Sequence, residues 1–180
     1  MSQPTARTFS VYVEDKPGVL NRVASLFRRR NYNIESLNVG RTHEPGVSRM
    51  TIVCDADADT AKRIEANLYK LVNVLWVDDI TDKRSIDRVL ALVKLRVPSE
   101  DHRKVFEISE KFPVRILDTS SDTITVEITG HREKVQERIE AFRQFEIVEL
   151  VQTGTVSMRR GVDDHAMAHP TVPASRIDAA

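Results

Sequence analysis

Past an alternating apolar run, FSVYV, and Glu14, four residues, Asp15-Lys16-Pro17-Gly18, lead directly into a run with helical spacing, VLNRVASLF. If the helix starts near Pro17 or Gly18, the N–H groups of Gly18, Val19 and Leu20 point out of its first turn, beside the positive end of its dipole. Such a place holds a small anion, for instance a carboxylate. Gly18 removes the side chain that would keep a ligand off the backbone, and Pro17 fixes the approach without spending a donor. Asp15 sits opposite, able to take an ammonium group. A ligand carrying both charges has the chemistry of a free amino acid. The same four residues also suit a plain turn with a helix cap, and both readings stand at this point. Asn33 lies where the chain enters its next apolar strand, NIESLNV. Its amide can donate and accept, although a lone asparagine there is also an ordinary turn residue.

The other reactive side chains make weaker patterns. Arg28-Arg29-Arg30 could grip phosphates, but arginines also suit a helix C-terminus, and the aromatic motif of an RNA-binding sheet is absent. Asp55, Asp57 and Asp59 resemble half a calcium loop without its glycine and closing glutamate, so helix capping is the better reading. His165 and His169 have helical metal spacing but no third ligand, and Pro170 adjoins them. Cys54, the only cysteine, lies in an apolar run without a neighbouring histidine and reads as a small core side chain. Asp78-Asp79 reads as a solvated strand end. No catalytic group, metal set or nucleotide loop stands out, so the expected chain is not an enzyme.

The elements that must position the turn follow from periodicity. Phe9, Val11 and Val13 alternate as a strand, and Val19, Leu20, Val23, Leu26 and Phe27 follow helical spacing. Residues 33–42 and 47–54 read as strands joined by Glu44-Pro45-Gly46-Val47, with Pro and Gly at the centre of a type II turn. A helix through Ala61, Ile64, Leu68 and Leu71 and a strand VNVLWVDDI complete a β-α-β-β-α-β order. TDKRSID (81–87) reads as a linker. The order then repeats: VLALVKLRV (89–97), a helix with Val105, Ile108 and Phe112, the strands 114–118 and 123–128, a helix with Val135, Ile139 and Phe142, and a strand near 147–151 that could extend to Met158. The fold class is therefore α+β, with two ferredoxin-like domains at 1–80 and 88–160 and a flexible tail at 161–180.

Bulk properties agree with a binding role. Lys plus Arg and Asp plus Glu number 27 each, which argues against a nucleic-acid or anionic-membrane surface. The start lacks an apolar signal core and no stretch approaches a membrane span, so the expectation is a soluble cytoplasmic protein.

The run EDKPGVLNRVASLFRRRNYNIESLNVGRTHEPGVSRMTIV resembles the ACT domain of the small, regulatory subunit of acetolactate synthase (acetohydroxyacid synthase). The strand–D/N-x-x-G-x-L–helix signature is shared by many ACT domains. Its combination with R-x-Y-N-I-E-S-L, S-R-M-T-I and K-L-V-x-V is more specific, and the likeness continues to about Gly161. The resemblance implies a homodimer without an active site in branched-chain amino acid biosynthesis. It would bind a catalytic large subunit that holds thiamine diphosphate, magnesium and often FAD, with no cofactor in this chain. It implies activation of that subunit and feedback inhibition by valine or another branched-chain amino acid. It further implies ACT domains paired edge to edge, with Asp15, Lys16, Pro17, Gly18, Val19 and Leu20 of one chain meeting Asn33 and Ile34 of the other. Asp15 stands where many relatives have Asn, which leaves an ammonium contact intact. The alternative is a free-standing ACT-domain amino-acid sensor that regulates another enzyme.

Overall fold

The computed structural model describes residues 5–161, so the tail from residue 162, with His165 and His169, lies outside the described residues. The chain divides into two compact units: residues up to Ile86 together with those from Ser157, and Asp87–Val156. Sequence periodicity alone carries the second domain through residue 160. In the structure, the Arg49 guanidinium donates to the Ser157 carbonyl and the Arg159 guanidinium pairs with Asp78 at 2.6 Å, which ties this segment to the first unit.

The first unit runs β1 (Thr5–Glu14), α1 (Val19–Arg29), β2 (Ile34–Arg41), β3 (Val47–Ala56), α2 (Ala58–Leu68) and β4 (Val74–Asp79). Its sheet has the order β2-β3-β1-β4, antiparallel at every pair. Alternation decides the faces. Phe9, Val11 and Val13 pack with Met50, Ile52 and Cys54 and with Val23, Phe27, Ile64 and Leu68 of the helices, all buried. Each of these large side chains contributes about 1.5–3 kcal/mol by leaving water. The expected hairpin turn is present: Gly46 has φ +74°, and the Val47 N–H donates to the Glu44 carbonyl at 3.2 Å. Asp57 caps α2 by accepting the Thr60 N–H at 2.7 Å, and that bond lowers the Asp57 pKa.

Helix α1 ends in a Schellman motif. Asn31 adopts φ +57°, the Tyr32 N–H donates to the Phe27 carbonyl at 2.9 Å, and the Asn31 N–H donates to the Arg28 carbonyl at 3.1 Å. The rings of Phe27 and Tyr32 meet edge to face at 5.9 Å. The turn asparagine is thus Asn31, and Asn33 follows it in the exposed entry to β2.

The second unit is built from β5 (Ser85–Arg96), a short 3₁₀ turn (Ser99–Asp101), α3 (His102–Lys111), β6 (Val114–Thr119), β7 (Thr123–Gly130), α4 (Arg132–Ala141) and β8 (Glu146–Gln152); β9 (Val156–Arg159) closes the described chain. The order β6-β7-β5-β8 repeats the arrangement of the first sheet. Val89, Ala91, Val93, Leu95 and Val97 share one buried face with Val105, Val126, Val135, Ile139 and Phe142. The fold class is as expected, and two boundaries differ. Strand β5 starts at Ser85, inside the expected linker, and the region near Met158 is a separate strand. Asp78 and Asp79 are also not simply solvated: Asp78 pairs with Lys83 and Arg159, and Asp79 lies 3.6 Å from Arg7. No helix among the described residues is long and apolar enough to cross a membrane.

Candidate functional site

The turn Asp15–Gly18 leaves the C-terminal end of β1 and enters α1 through Gly18, which has φ +80° and makes no side-chain cap. That left-handed conformation suits glycine. A Cβ built on Gly18 would meet nothing within 4 Å, so the space in front of the backbone is open. Among the described residues the N–H groups of Gly18, Leu20 and Asn21 have no acceptor, while Val19 N–H donates to the Lys16 carbonyl at 3.3 Å. This modifies the expectation, because Val19 closes the turn instead of facing a ligand. The three open donors still converge at the positive end of α1, with no acidic side chain in the first turn to neutralise them. Leu20 is 44 % exposed beside them. Although it follows helical spacing, it does not join the core.

Asp15 is already engaged. Its carboxylate accepts from Arg41 Nε at 3.0 Å and from Ser48 Oγ at 3.1 Å, and its N–H donates to the Gly46 carbonyl at 2.8 Å. These partners stand on β2, on β3 and in the turn between them, far away in sequence, so the Asp15–Gly18 turn alone could not reveal them. A carboxylate has capacity for further donors. The Arg41 side chain is 86 % exposed and Asp15 is 37 % exposed, so an incoming ammonium competes with a loose surface pair. Lys16 Nζ lies 3.8 Å from the buried Glu14 carboxylate.

Asn33 and Ile34 are not beside the turn within one chain. Arg7 on β1 and Ile34 on β2 both lie opposite Cys54 of β3, so they stand at one level of the sheet. β1 and β2 run the same way, and Asp15 is eight residues beyond Arg7, which places it about 26 Å further along the strands. The two halves of the expected site occupy opposite ends of the sheet. A complete site from these residues needs a second chain.

Sequence reading missed Arg41, Ser48, Glu14, Asn73 and Arg22, which surround the turn. Glu14 adjoins the turn and Arg22 follows it in α1, while Arg41 and Ser48 reach it through strand pairing and Asn73 through the loop before β4. Their polar types carried no local spacing signal. Cys54 is poorly placed to act as a nucleophile. Cys54 is fully buried, and burial, followed by the charges of Asp55, Asp79 and Glu35, pushes its thiol up to about 11. A rise of that size lowers the thiolate fraction about a hundredfold at neutral pH. Alkylation by iodoacetamide at pH 8 is accordingly expected to be at least about a hundred times slower in the native chain than in denaturant; equal rates would place the thiol at the surface. Among the described residues no group of three or more His, Cys, Asp or Glu side chains could hold a metal ion.

Residues 9–76 match the family model of the AHAS small subunit-like ACT domain, and residues 88–161 match that of the small subunit of acetolactate synthase. The acetolactate synthase small subunit of Mycobacterium bovis is 43 % identical over 158 residues, covering 88 % of this chain and 94 % of that protein. That of Aquifex aeolicus is 42 % identical over 152 residues, covering 84 % and 79 %. The crystal structure of the acetolactate synthase small subunit from Thermotoga maritima superposes with a TM-score of 0.82 at 37 % identity, covering 88 % of this chain and 99 % of that one.

Proposed function

The chain belongs to the family of acetolactate synthase small subunits, and from that premise we propose that it activates a catalytic large subunit and carries feedback inhibition by valine. In this reading valine lies between two copies of the first unit. Its carboxylate meets the open N–H groups of Gly18, Leu20 and Asn21, and its ammonium meets Asp15. Leu20 and the second copy's Ile34 line the side chain, and the second copy's Asn33 completes the polar contacts. Thiamine diphosphate and magnesium, and in many members of the family FAD, belong to the catalytic partner. The setting is the cytoplasm.

The observation that carries this reading is the separation of the two half-sites together with the nature of the two sheet edges. At one edge, the Tyr69 hydroxyl donates to the Val77 carbonyl at 3.1 Å and accepts the Val77 N–H at 3.0 Å, so the outward backbone groups of this β4 residue are already taken. At the other edge, β2 has no further strand beyond it among the described residues, and Val39 on it is 41 % exposed. A strand edge with an apolar side chain is a template for a second strand. Two copies of β2 paired antiparallel about their midpoint, near Leu37 or Asn38, bring Ile34 of the second copy opposite Gly40 or Thr42. Arg41, the residue between, is the one that holds Asp15. One symmetric pairing therefore unites both half-sites twice.

A ligand clamped in that seam favours one seam geometry over another, and only this difference can reach the catalytic subunit. Coupling of about 1–3 kcal/mol is enough for a visible change in activity. Calorimetric titration with valine, followed by assay of a matching catalytic subunit with and without this chain, tests the proposal. Saturable binding, activation, and inhibition of the activated complex are expected. Binding without activation favours the free-standing sensor, and activation without binding removes the feedback role.

A further inference from the structure

Both ends of the Asp15–Gly18 turn are gripped by one residue from a distant loop. Asn73 is 7 % exposed and stands just before β4. Its carbonyl accepts the Glu14 N–H at 2.9 Å, and its side-chain Nδ2 donates to Glu14 Oε2 at 2.5 Å. Its Oδ1 accepts from the Arg22 guanidinium. Glu14 is the last residue of β1, with its side chain 3 % exposed, and Arg22 lies in α1, where its N–H donates to the Gly18 carbonyl at 3.0 Å. The residue before the turn and the first turn of the helix after it are thus held at a fixed spacing by one amide group. A buried carboxyl group and a buried amide that satisfy each other have few alternative arrangements, because leaving either unpaired is unfavourable. The backbone that carries the open donors of Gly18, Leu20 and Asn21 is thereby held from both sides by residues outside the turn.

We propose that Asn73 is a positioning residue that sets effector affinity by fixing, through Glu14 and Arg22, the spacing across the Asp15–Gly18 turn. The inference rests on the reading of that turn as the effector site and adds the device that preorganises it. Preorganised donors bind more tightly because less ordering is left for the ligand to impose. Asn73→Ala removes the amide while leaving the turn residues unchanged.

The test uses the full chain and two readouts. In hydrogen exchange without ligand, peptides spanning residues 15–22 are expected to exchange about tenfold faster in Asn73→Ala than in the wild type. Ile64→Val, a trimmed core residue of α2 away from the turn, serves as the control for general loss of stability and is expected to leave those peptides unchanged. In titration with valine, Asn73→Ala is expected to weaken binding about tenfold or more, and Ile64→Val by less than twofold. Arg22→Met, which removes one of the two side-chain contacts, is expected to fall between them. The inference is overturned if exchange across 15–22 does not change in Asn73→Ala, or if affinity is unchanged despite faster exchange. It is equally overturned if Ile64→Val reproduces both effects. A wild-type chain that binds no valine overturns the functional reading and, with it, the affinity claim; the exchange result then decides only whether the clamp exists.

Discussion

Gly18→Asp is expected to lower valine affinity at least about a hundredfold, equivalent to about 3 kcal/mol, while the chain still activates its catalytic partner. Two effects add. The backbone at Gly18 has φ +80°, where a residue with a Cβ is strained by about 1–2 kcal/mol. Nothing lies within 4 Å of the new Cβ, so the strain is local and the fold tolerates it. The larger effect is charge. An aspartate carboxylate at the start of α1 seeks the same amides that a ligand carboxylate needs, and it repels any that approaches. Gly18→Ala separates the two effects, because it keeps the strain without the charge, and a loss of less than about tenfold is expected. Calorimetric titration of the three proteins, with activation of the catalytic subunit measured alongside, gives both numbers. Normal valine affinity in Gly18→Asp contradicts the placement of the site.

Val39→Asp is expected to weaken the dimer about a hundredfold and to remove valine binding in parallel. Val39 lies on the edge strand β2, level with Met50 of β3, on the face that carries the helices. In a seam centred on Asn38 it faces Leu37 of the second copy; centred on Leu37, it faces Glu35. An aspartate there sets a charge against an apolar side chain in the first case and against a like charge in the second. Either costs about 1–2 kcal/mol, and the two-fold axis makes each substitution act twice. The isolated unit loses little, because Val39 is already exposed. Light scattering over a dilution series reads the dimer, and titration at the same concentrations reads the ligand. A stable dimer that still binds valine would remove β2 from the seam.

Much of the fold is legible in the sequence because it rests on local rules. Alternation in FSVYV and helical spacing after Gly18 fix which faces pack, and Pro45-Gly46 fixes the hairpin whatever the neighbours do. What is not legible depends on pairing over long distances. Ser85 and Ile86 lie in a polar stretch, yet they extend β5. Asp78 ends a strand and looks solvated until Lys83 and Arg159 arrive beside it. The site divides in the same way. Asp15, Pro17, Gly18 and Leu20 can be chosen from the turn itself, since glycine at a helix start marks backbone that a ligand can reach. Arg41 and Ser48 cannot, because only strand register brings them to Asp15. Nor can Glu14 or Asn73, since a carboxyl at a strand end and an asparagine in a loop are ordinarily exposed. Asn33 can be picked out as a polar residue at a strand entry, Ile34 comes from the family resemblance alone, and the strand register places both at the opposite end of the sheet from the turn.

The central claim is that each effector site draws its turn from one chain and Asn33 from another. A mixed dimer, co-expressed from Gly18→Asp and Asn33→Ala chains carrying different affinity tags, tests it most directly. Each homodimer should bind valine poorly, because both of its sites are damaged. In the mixed dimer one site collects both substitutions and the other collects neither, so titration should show one site of normal affinity per dimer. A mixed dimer without any such site would contradict the claim, since a site contained within one chain would be damaged in both halves.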